Sequence, residues 1–256
     1  KDLNGVLKAK TEMLNYLKKG GTVVLNGDDL NLRKAEIPEG AKVIYYGLNE
    51  DNDIFATDIK SDNESFTDFT VHTKDGEFKA RINSLGNHMV QNALAAVAVA
   101  KTLELSEKEI KNGLGNYRTI GGRANIIKTE KLTVIDDCYN ANPESMKASL
   151  KTLANFDGRR VALLGDMKEL GEKERELHKE IGELAAELKL DLLITVGDLA
   201  LEMYKAARPY IDAEWYQSIE EAKLYMYEML TIGDTVLVKA SHSMKFDELV
   251  QLIKEL

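Results

Sequence analysis

The sequence predicts an α/β protein built from two domains, residues 1–117 and residues 118–256. Beyond the pair Gly121-Gly122, short apolar strands alternate with amphipathic helices, which is typical of a doubly wound, mostly parallel sheet. Before that pair, residues 53–83 form three runs with the pattern of a β-meander. The glycine pair therefore marks a predicted hinge, and the second domain is expected to be Rossmann-like.

The first domain is expected to open with a helix over residues 3–19, where apolar residues form one stripe and two glycines follow. Strands TVVLN and KVIYYG come next, and then the meander DIFATDIK, SFTDFTVHT and EFKARIN, with a hairpin turn at KDG. The alanine-rich run NHMVQNALAAVAVAKTLEL predicts a helix that packs closely on a sheet. A shorter helix begins with a capping box of Ser106 and Glu109.

The second domain is expected to contain five strands and five helices. The predicted strands are ANIIKT, KLTVID, RRVALLG, DLLITVG and TVLVKA. The predicted helices are PESMKASLKTLANF, GEKERELHKEIGELAAELK, LALEMYKAAR, SIEEAKLYMYEML and KFDELVQLIKEL. Ligands of open α/β sheets bind outside the carboxyl ends of the strands, so the polar residues at those ends are the candidate site.

Composition excludes several functional classes. The chain has 256 residues with 44% hydrophobic content, and its net charge of −9 leaves no general basic surface for nucleic acid. The single cysteine, Cys138, excludes an intrachain disulfide, and the four histidines show no metal-binding spacing. No apolar run is long enough to span a bilayer and no signal peptide is visible, so we expect a cytoplasmic protein without membrane insertion.

The strongest candidate site is the stretch VIDDCYNANP, residues 134–143. It begins as a buried strand and ends in a turn, with Pro143 at the first position of a helix. Carboxylates and amides thus crowd the carboxyl end of a strand, and the alternative is an ordinary capped strand-to-helix turn. The polar side chains of the stretch are Asp136, Asp137, Tyr139, Asn140 and Asn142.

Three further segments offer candidates, each with a simpler alternative. RVALLGDMKELG ends a strand with Asp166 and Glu169, but it lacks G-x-G-x-x-G, so hydride transfer is disfavoured and a glycine-shaped loop is the alternative. GGRANI presents Arg123, which suits phosphate or carboxylate, although a lone arginine is more often a surface ion-pair partner. VLVKASHSM places Lys239 and His242 at another strand end.

Five segments of the chain follow one another in the order GNHMVQNALAA, GGRANI, VIDDCYNANPESM, LLGDMKELGEKERELH and VLVKASHSM. Together they resemble the Mur ligase family, and the resemblance covers nearly the whole chain. YNANP and GDM-x-ELG resemble the member that adds D-alanyl-D-alanine to UDP-N-acetylmuramoyl-tripeptide. The resemblance implies an ATP-dependent amide ligase of peptidoglycan synthesis, in which a carboxylate attacks the γ-phosphate and the resulting acyl phosphate is attacked by the dipeptide amine. It also implies a partial central ATPase domain followed by the family's carboxy-terminal domain, in a monomer.

The resemblance assigns roles to residues in the first domain and at the domain boundary. His88 and Asn92 would flank the adenine of ATP, and Arg123 would contact the phosphates as a catalytic group. Lys10 matches a lysine that several members carbamoylate, so it would be catalytic and, if carbamoylated, would help to hold Mg²⁺.

The resemblance also assigns roles in the second domain. Asp137 would reach the ribose. The residues expected to face the incoming dipeptide or the end of the tripeptide are Asn140, Asn142, Asp166, Glu169 and Lys239.

The chain departs from the family pattern in two ways. Cys138, Ala240 and His242 stand where serine, glycine and arginine are usual, so the KASHSM segment departs from the family motif. No G-x-x-G-K-[ST] phosphate loop occurs, although the family has one. We therefore expect a carboxy-terminal portion of such a ligase, inactive by itself.

Two other interpretations remain open at this point. A Rossmann-like chain without the phosphate loop could be a stand-alone module that binds a nucleotide or peptide without catalysis. Folate-polyglutamate or cyanophycin-type ligases share the fold, but YNANP and GDM-x-ELG argue against them.

Overall fold

The computed structural model describes residues 3–62, 65–119 and 121–256, and the chain forms two compact units. Unit 1 is Lys1–Arg118 and unit 2 is Thr119–Leu256. In the part of the chain that is described, no helix is both long enough and apolar enough to cross a membrane.

Unit 1 contains a five-stranded sheet whose strand order follows the chain. The strands are β1 (Thr22–Asn26), β2 (Lys42–Gly47), β3 (Ile54–Ser61), β4 (Thr67–Thr73) and β5 (Gly76–Ile82). The first three are parallel, and β3, β4 and β5 are antiparallel, which confirms the predicted meander. The helices are α1 (Leu3–Thr11), α2 (Asn87–Thr102) and α3 (Glu107–Gly115).

Helix α2 closes the main core of unit 1. Val90, Leu94 and Val97 on its inner face are fully buried and belong to one apolar cluster with Phe69 and Val71 of β4. Most of the stability of such a helix comes from burying this face, since each fully buried aliphatic side chain contributes roughly 1.5–3 kcal/mol.

Two local predictions in unit 1 have different outcomes. The capping box of Ser106 and Glu109 is present at the start of α3 and is confirmed. The helix predicted over residues 3–19 is too long, because α1 ends at Thr11 and Glu12–Tyr16 form a 3₁₀ turn. In this last turn the Thr11 hydroxyl donates back to the carbonyl of Leu7 at 2.9 Å, a local contact that competes with continuation of the helix.

Unit 2 contains a six-stranded sheet with helices on both faces. In chain order the strands are β6 (Asn125–Lys128), β7 (Thr133–Asp136), β8 (Arg160–Gly165), β9 (Leu192–Val196), β10 (Ala213–Tyr216) and β11 (Thr235–Lys239). Across the sheet the order is β10-β9-β8-β11-β7-β6. The helices are α4 (Pro143–Leu153), α5 (Glu174–Glu187), α6 (Leu201–Ala207), α7 (Ile219–Met229) and α8 (Asp247–Lys254).

Successive side chains along the strands pack alternately into two apolar cores, one on each face of the sheet. On β8, Val161 and Leu163 join the cluster with α7 and α8, whereas Ala162 and Leu164 join the cluster with α4, α5 and α6. This burial of both sheet faces is why the inner strands β8, β9 and β11 carry continuous apolar runs. The predicted doubly wound, Rossmann-like architecture is confirmed.

The edges of this sheet differ from the prediction. β6 is antiparallel to β7, because a short turn in which Thr129 N–H donates to the carbonyl of Leu132 joins the two strands without a helix. β10 was not predicted at all. It is an edge strand of four residues, only one of which is buried, so it carries no continuous apolar run.

Candidate functional site

Three neighbouring strands of unit 2 end side by side and form the centre of the candidate site. β11 lies between β7 and β8 and is parallel to both. Their carboxyl ends therefore place Asp137, which follows β7, Lys239 at the end of β11, and Asp166, which follows β8, along one edge of the sheet. The sequence prediction that these strand ends share an edge is confirmed.

Asp137 and Lys239 form a buried ion pair at this edge. The Lys239 ammonium donates to Asp137 Oδ2 at 2.6 Å, to the Asp137 carbonyl at 3.4 Å and to the Asn140 carbonyl at 3.0 Å. Lys239 is only 2% exposed, so its three donors are all used inside the protein. The pair fixes the chain from Asp137 to Asn140 in one conformation.

Two further donors complete the environment of Asp137. Ser149 of α4 donates its hydroxyl to Oδ2 at 2.6 Å, and the backbone N–H of Ala124 donates to Oδ1 at 3.0 Å. Sequence reasoning did not find Ser149. The available signal was a serine on the apolar face of α4, beside Met146 and Leu150, where a buried hydroxyl needs a partner.

Arg123, Tyr139 and His242 form a cluster that reaches solvent. The Arg123 guanidinium lies 4.0 Å from the centroid of the Tyr139 ring, and the His242 ring lies 5.5 Å from the same ring. Gly122 holds this arrangement, since its N–H donates to Asp136 Oδ2 at 2.9 Å and its carbonyl accepts the N–H of Tyr139 at 2.8 Å. Gly122 has φ +78, a left-handed conformation that favours glycine.

The asparagine pair of the YNANP segment lies beside this cluster in the chain, and both side chains are exposed. The Asn142 side-chain oxygen accepts the N–H of Ser145 at 2.9 Å and so caps α4. The Asn140 side-chain oxygen accepts the N–H of Ala141 at 2.9 Å. Because these contacts use the oxygens, the amide NH₂ groups are oriented to donate away from the helix start.

Asp166 and Glu169 have different environments within the loop after β8. Asp166 is 2% exposed, and its Oδ1 accepts the N–H groups of Leu199 and Ala200 at 3.0 and 2.8 Å. Its Oδ2 accepts the Lys168 ammonium at 2.8 Å. Glu169 is exposed and has φ +64. The buried Asp166 contacts favour a role in holding loops together, whereas Glu169 is open to a ligand.

Two buried groups next to the site are kept neutral. Burial and the adjacent Asp136 carboxylate raise the pKa of the Cys138 thiol far above its usual range. Burial lowers the pKa of His178, whose Nε2 accepts the N–H of Met167 at 2.9 Å while Nδ1 pairs with the Glu174 carbonyl at 2.6 Å. A neutral His178 thereby holds the loop that carries Asp166.

The predicted nucleotide residues of unit 1, His88 and Asn92, lie on α2. Asn92 is exposed on α2, and its Nδ2 makes only a 3.6 Å contact with the Met89 sulfur. It borders a cavity of about 300 Å³ between α2 and α3, whose lining is mostly apolar and includes Ala96, Leu114 and Tyr117. His88, one helical turn before Asn92, is partly buried.

The described residues do not present a ready metal site. Among them, no group of three or more His, Cys, Asp or Glu side chains is placed to hold a metal ion. Lys10, the predicted carbamoylated residue, is exposed on α1.

Two family models match the chain. The Mur ligase middle domain matches residues 1–100, and the Mur ligase, glutamate ligase domain, matches residues 122–242. Among curated relatives, the UDP-N-acetylmuramoyl-tripeptide–D-alanyl-D-alanine ligase of Bacillus subtilis is 33% identical over 96% of this chain and 54% of its own length. The Escherichia coli protein of the same name is 33% identical over 99% of this chain and 56% of its own length.

Solved structures give the same result. The crystal structure of MurF from Acinetobacter baumannii matches 100% of this chain and 56% of its own chain, with a TM-score of 0.87 and 30% identity. The MurF ligase of Thermotoga maritima in complex with ADP matches 98% of this chain and 57% of its own, with a TM-score of 0.82 and 25% identity. The chain thus spans about half the length of the relatives it matches.

Proposed function

Because the chain belongs to the Mur ligase family, we propose that it carries the nucleotide and dipeptide sites of an ATP-dependent ligase. That ligase would join D-alanyl-D-alanine to UDP-N-acetylmuramoyl-tripeptide, the two compounds in the names of the relatives, and the family resemblance implies that this serves peptidoglycan synthesis. The observation that carries the proposal is the Asp137–Lys239 pair, which presents the YNANP segment at the ligand edge of the sheet.

The adenine of ATP is proposed to bind at α2. An asparagine amide can pair with the N6 and N7 edge of adenine in a bidentate way, and both polar atoms of Asn92 are available for this contact. The apolar cavity beside it, which Tyr117 helps to line, offers a surface for a flat base. His88 is proposed as the second adenine contact.

The ribose and phosphates are proposed to lie at the edge of unit 2. Among the described residues, the N–H of Ala124 is the one donor to Asp137 Oδ1, so this oxygen can accept a ribose hydroxyl as well. Arg123 is exposed with its guanidinium stacked on Tyr139, and this geometry lets its N–H groups form charge-assisted hydrogen bonds to phosphate oxygens. Its charge would offset the negative charge of the transferring phosphoryl group.

The dipeptide is proposed to contact the exposed groups of the YNANP and GDM-x-ELG segments. The amides of Asn140 and Asn142 would donate to a carboxylate, and Glu169 would attract an ammonium group. Lys239 and Asp166 were expected to contact substrate directly. Their buried contacts favour support of the loops instead, and direct contact stays a prediction.

Bound ATP would supply the phosphoryl group that activates the tripeptide carboxylate. Mg²⁺ is proposed to bind chiefly through the nucleotide phosphates and water, since it commonly retains waters and uses few protein ligands. Lys10, if carbamoylated, would add an anionic oxygen ligand. A monomeric, cytoplasmic enzyme is the corresponding proposal for the complete ligase.

The test is ATP-dependent phosphate release in the presence of Mg²⁺, bicarbonate, UDP-N-acetylmuramoyl-tripeptide and D-alanyl-D-alanine. The chain would be assayed alone and joined behind the amino-terminal portion of the Bacillus subtilis relative. We expect release only from the joined protein. Release from the chain alone would contradict the fragment interpretation, and nucleotide binding by the joined protein without any release would favour the stand-alone binding module.

A matched pair of variants tests the role of Arg123 in the joined protein. Arg123→Ala is expected to lower kcat by about 100-fold, the scale of removing one group that stabilises transition-state charge. Arg208→Ala also removes a guanidinium that lies over a tyrosine, at 5.4 Å from the Tyr204 ring, and should leave kcat unchanged. Equal effects of the two substitutions would contradict the assignment.

A further inference from the structure

A second polar cluster lies at the carboxyl ends of β1 and β2 in unit 1, centred on Asp28. Asp28 Oδ2 accepts the N–H of Leu48 at 2.6 Å, and Oδ1 accepts the N–H and the side-chain amide of Asn49 at 3.2 and 2.9 Å. The side-chain amide of Asn52 also donates to Oδ1, at 2.9 Å. These contacts tie the turn after β1 to the loop after β2.

Asn52 extends the cluster and is 5% exposed. Its side-chain oxygen accepts Arg33 Nη2 at 2.9 Å, and Arg33 Nε donates to the carbonyl of Gly27 at 2.5 Å. Gly27 and Gly47 leave room for these groups: a Cβ at Gly27 would overlap the Asn52 side chain, and one at Gly47 would overlap Asp28. The cluster is therefore a closely packed arrangement rather than a loose polar surface.

One contact of this cluster reaches α2. The Gln91 side-chain amide donates to Asp28 Oδ2 at 2.9 Å across 63 residues of sequence. Gln91 directly precedes Asn92, and His88 lies one turn earlier on the same helix. The carboxylate thus contacts the helix at the turn that carries the proposed adenine residues.

The N-cap of α2 is Gly86, and no side chain caps the helix there. The inner face is held by Val90, Leu94 and Val97, but apolar contacts are not directional and do not set the rotation of a helix sharply. The hydrogen bond from Gln91 to a carboxylate is directional and charge-assisted, so it supplies what the packing lacks.

We propose that Asp28 and Gln91 are positioning residues for the nucleotide, which fix the rotation of α2 so that His88 and Asn92 face the base. This inference rests on the proposed function of those two residues. Neither the polar residues that follow the predicted strands nor the family resemblance indicated a role for the Asp28 cluster.

The experiment is an NMR titration of the chain with ADP and Mg²⁺, using the wild type, Gln91→Leu and Gln91→Lys. Gln91→Leu removes the donor, and Gln91→Lys restores a donor to Asp28. We expect the apparent Kd to rise about tenfold in Gln91→Leu, the scale of one hydrogen bond to a charged group, and to return to within about threefold of the wild type in Gln91→Lys. Gln251→Leu, on the exposed face of α8, is the matched control with no expected change.

Amide hydrogen exchange in the same variants gives a readout that needs no ligand. Faster exchange confined to residues 88–95 in Gln91→Leu, with recovery in Gln91→Lys, would support the positioning role. Equal exchange in the wild type and Gln91→Leu would overturn it, whatever the nucleotide does, and so would equal ADP affinity. If ADP instead perturbs only residues outside α2, the proposed adenine site is wrong, and the exchange data still decide whether Gln91 orders the helix.

Discussion

Asp28 in unit 1 and Asp137 in unit 2 both follow a parallel strand, yet their carboxylates are stabilised in opposite ways. Asp28 is held by backbone N–H groups and side-chain amides, together with Gln91. Asp137 is held by one ammonium, Lys239, with a hydroxyl and a single N–H. The first arrangement distributes a charge over many neutral donors, and the second places two opposite charges in a buried position.

This difference determines how much stabilisation each carboxylate loses when one of its partners is removed. A carboxylate with several neutral donors keeps most of its stabilisation when one is lost. A buried ion pair that loses one member leaves an unpaired charge out of water, which costs far more. Asp137 is therefore expected to be sensitive to single substitutions, whereas Asp28 is expected to be more tolerant of them.

The largest expected effect is on the ion pair. Lys239→Met should lower the free energy of unfolding of unit 2 by about 3–5 kcal/mol, because it leaves Asp137 buried without a cation. Urea unfolding followed by the fluorescence of Trp215, the single tryptophan, reports on unit 2. The double variant Lys239→Met/Asp137→Asn should recover most of the lost stability. A free energy of unfolding for Lys239→Met within about 1 kcal/mol of the wild-type value would contradict the importance of the ion pair.

A smaller effect is expected from crowding the Asp28 cluster. Gly47→Ala should destabilise unit 1 by about 1–3 kcal/mol, because the added methyl would overlap the Asp28 side chain in a closely packed site. Gly113→Ala is the matched control: it lies inside α3, a Cβ there has no atom within 4 Å, and it should stabilise by about 0.5–1 kcal/mol. Amide hydrogen exchange in β1 and β2 measures the stability change that each substitution causes. If Gly47→Ala causes no loss of stability, the Asp28 cluster is less closely packed than the structure indicates.

The smallest effect is the pH dependence of Asp28. Burial raises the pKa of this carboxyl, but the hydrogen bonds from Leu48, Asn49, Gln91 and Asn52 together outweigh burial, so the pKa is lowered overall. The resulting stabilisation is complete above the unfolded pKa of about 3.9 and is lost as the pH falls through the lower folded pKa. In Asp28→Asn, the free energy of unfolding of unit 1 should therefore decrease less steeply than in the wild type as the pH falls from 5 to 2. The same pH dependence in both proteins would contradict this.

The sequence predicted the sheet of unit 2 and its ligand edge because both depend on local patterns. Apolar strands alternate with amphipathic helices, and the polar residues of YNANP follow one of those strands directly. The Asn142 cap and Pro143 at the helix start are likewise local signals. The resemblance to the Mur ligase family is confirmed by the two family models that match the chain.

The partners of the two carboxylates could not be predicted, because they lie far away in sequence. Lys239 meets Asp137 across 102 residues, and Gln91 meets Asp28 across 63. Asp28 was not among the candidate residues predicted from the sequence, and Lys239 was expected to face substrate rather than to be buried. Periodicity indicates which face of an element is buried, but not which charge on another element it will meet.

The most direct test of the account is to map where Mg²⁺ and ADP bind on this chain by NMR. We expect chemical-shift changes in two groups of residues, around Asn92 and Tyr117 in unit 1 and from Arg123 to Asn140 in unit 2. Changes confined to other surfaces, such as the groove lined by Asp58, Lys60 and Lys79, would contradict the proposed nucleotide site. An absence of any change at millimolar ADP would show that the chain does not by itself form the site proposed for it.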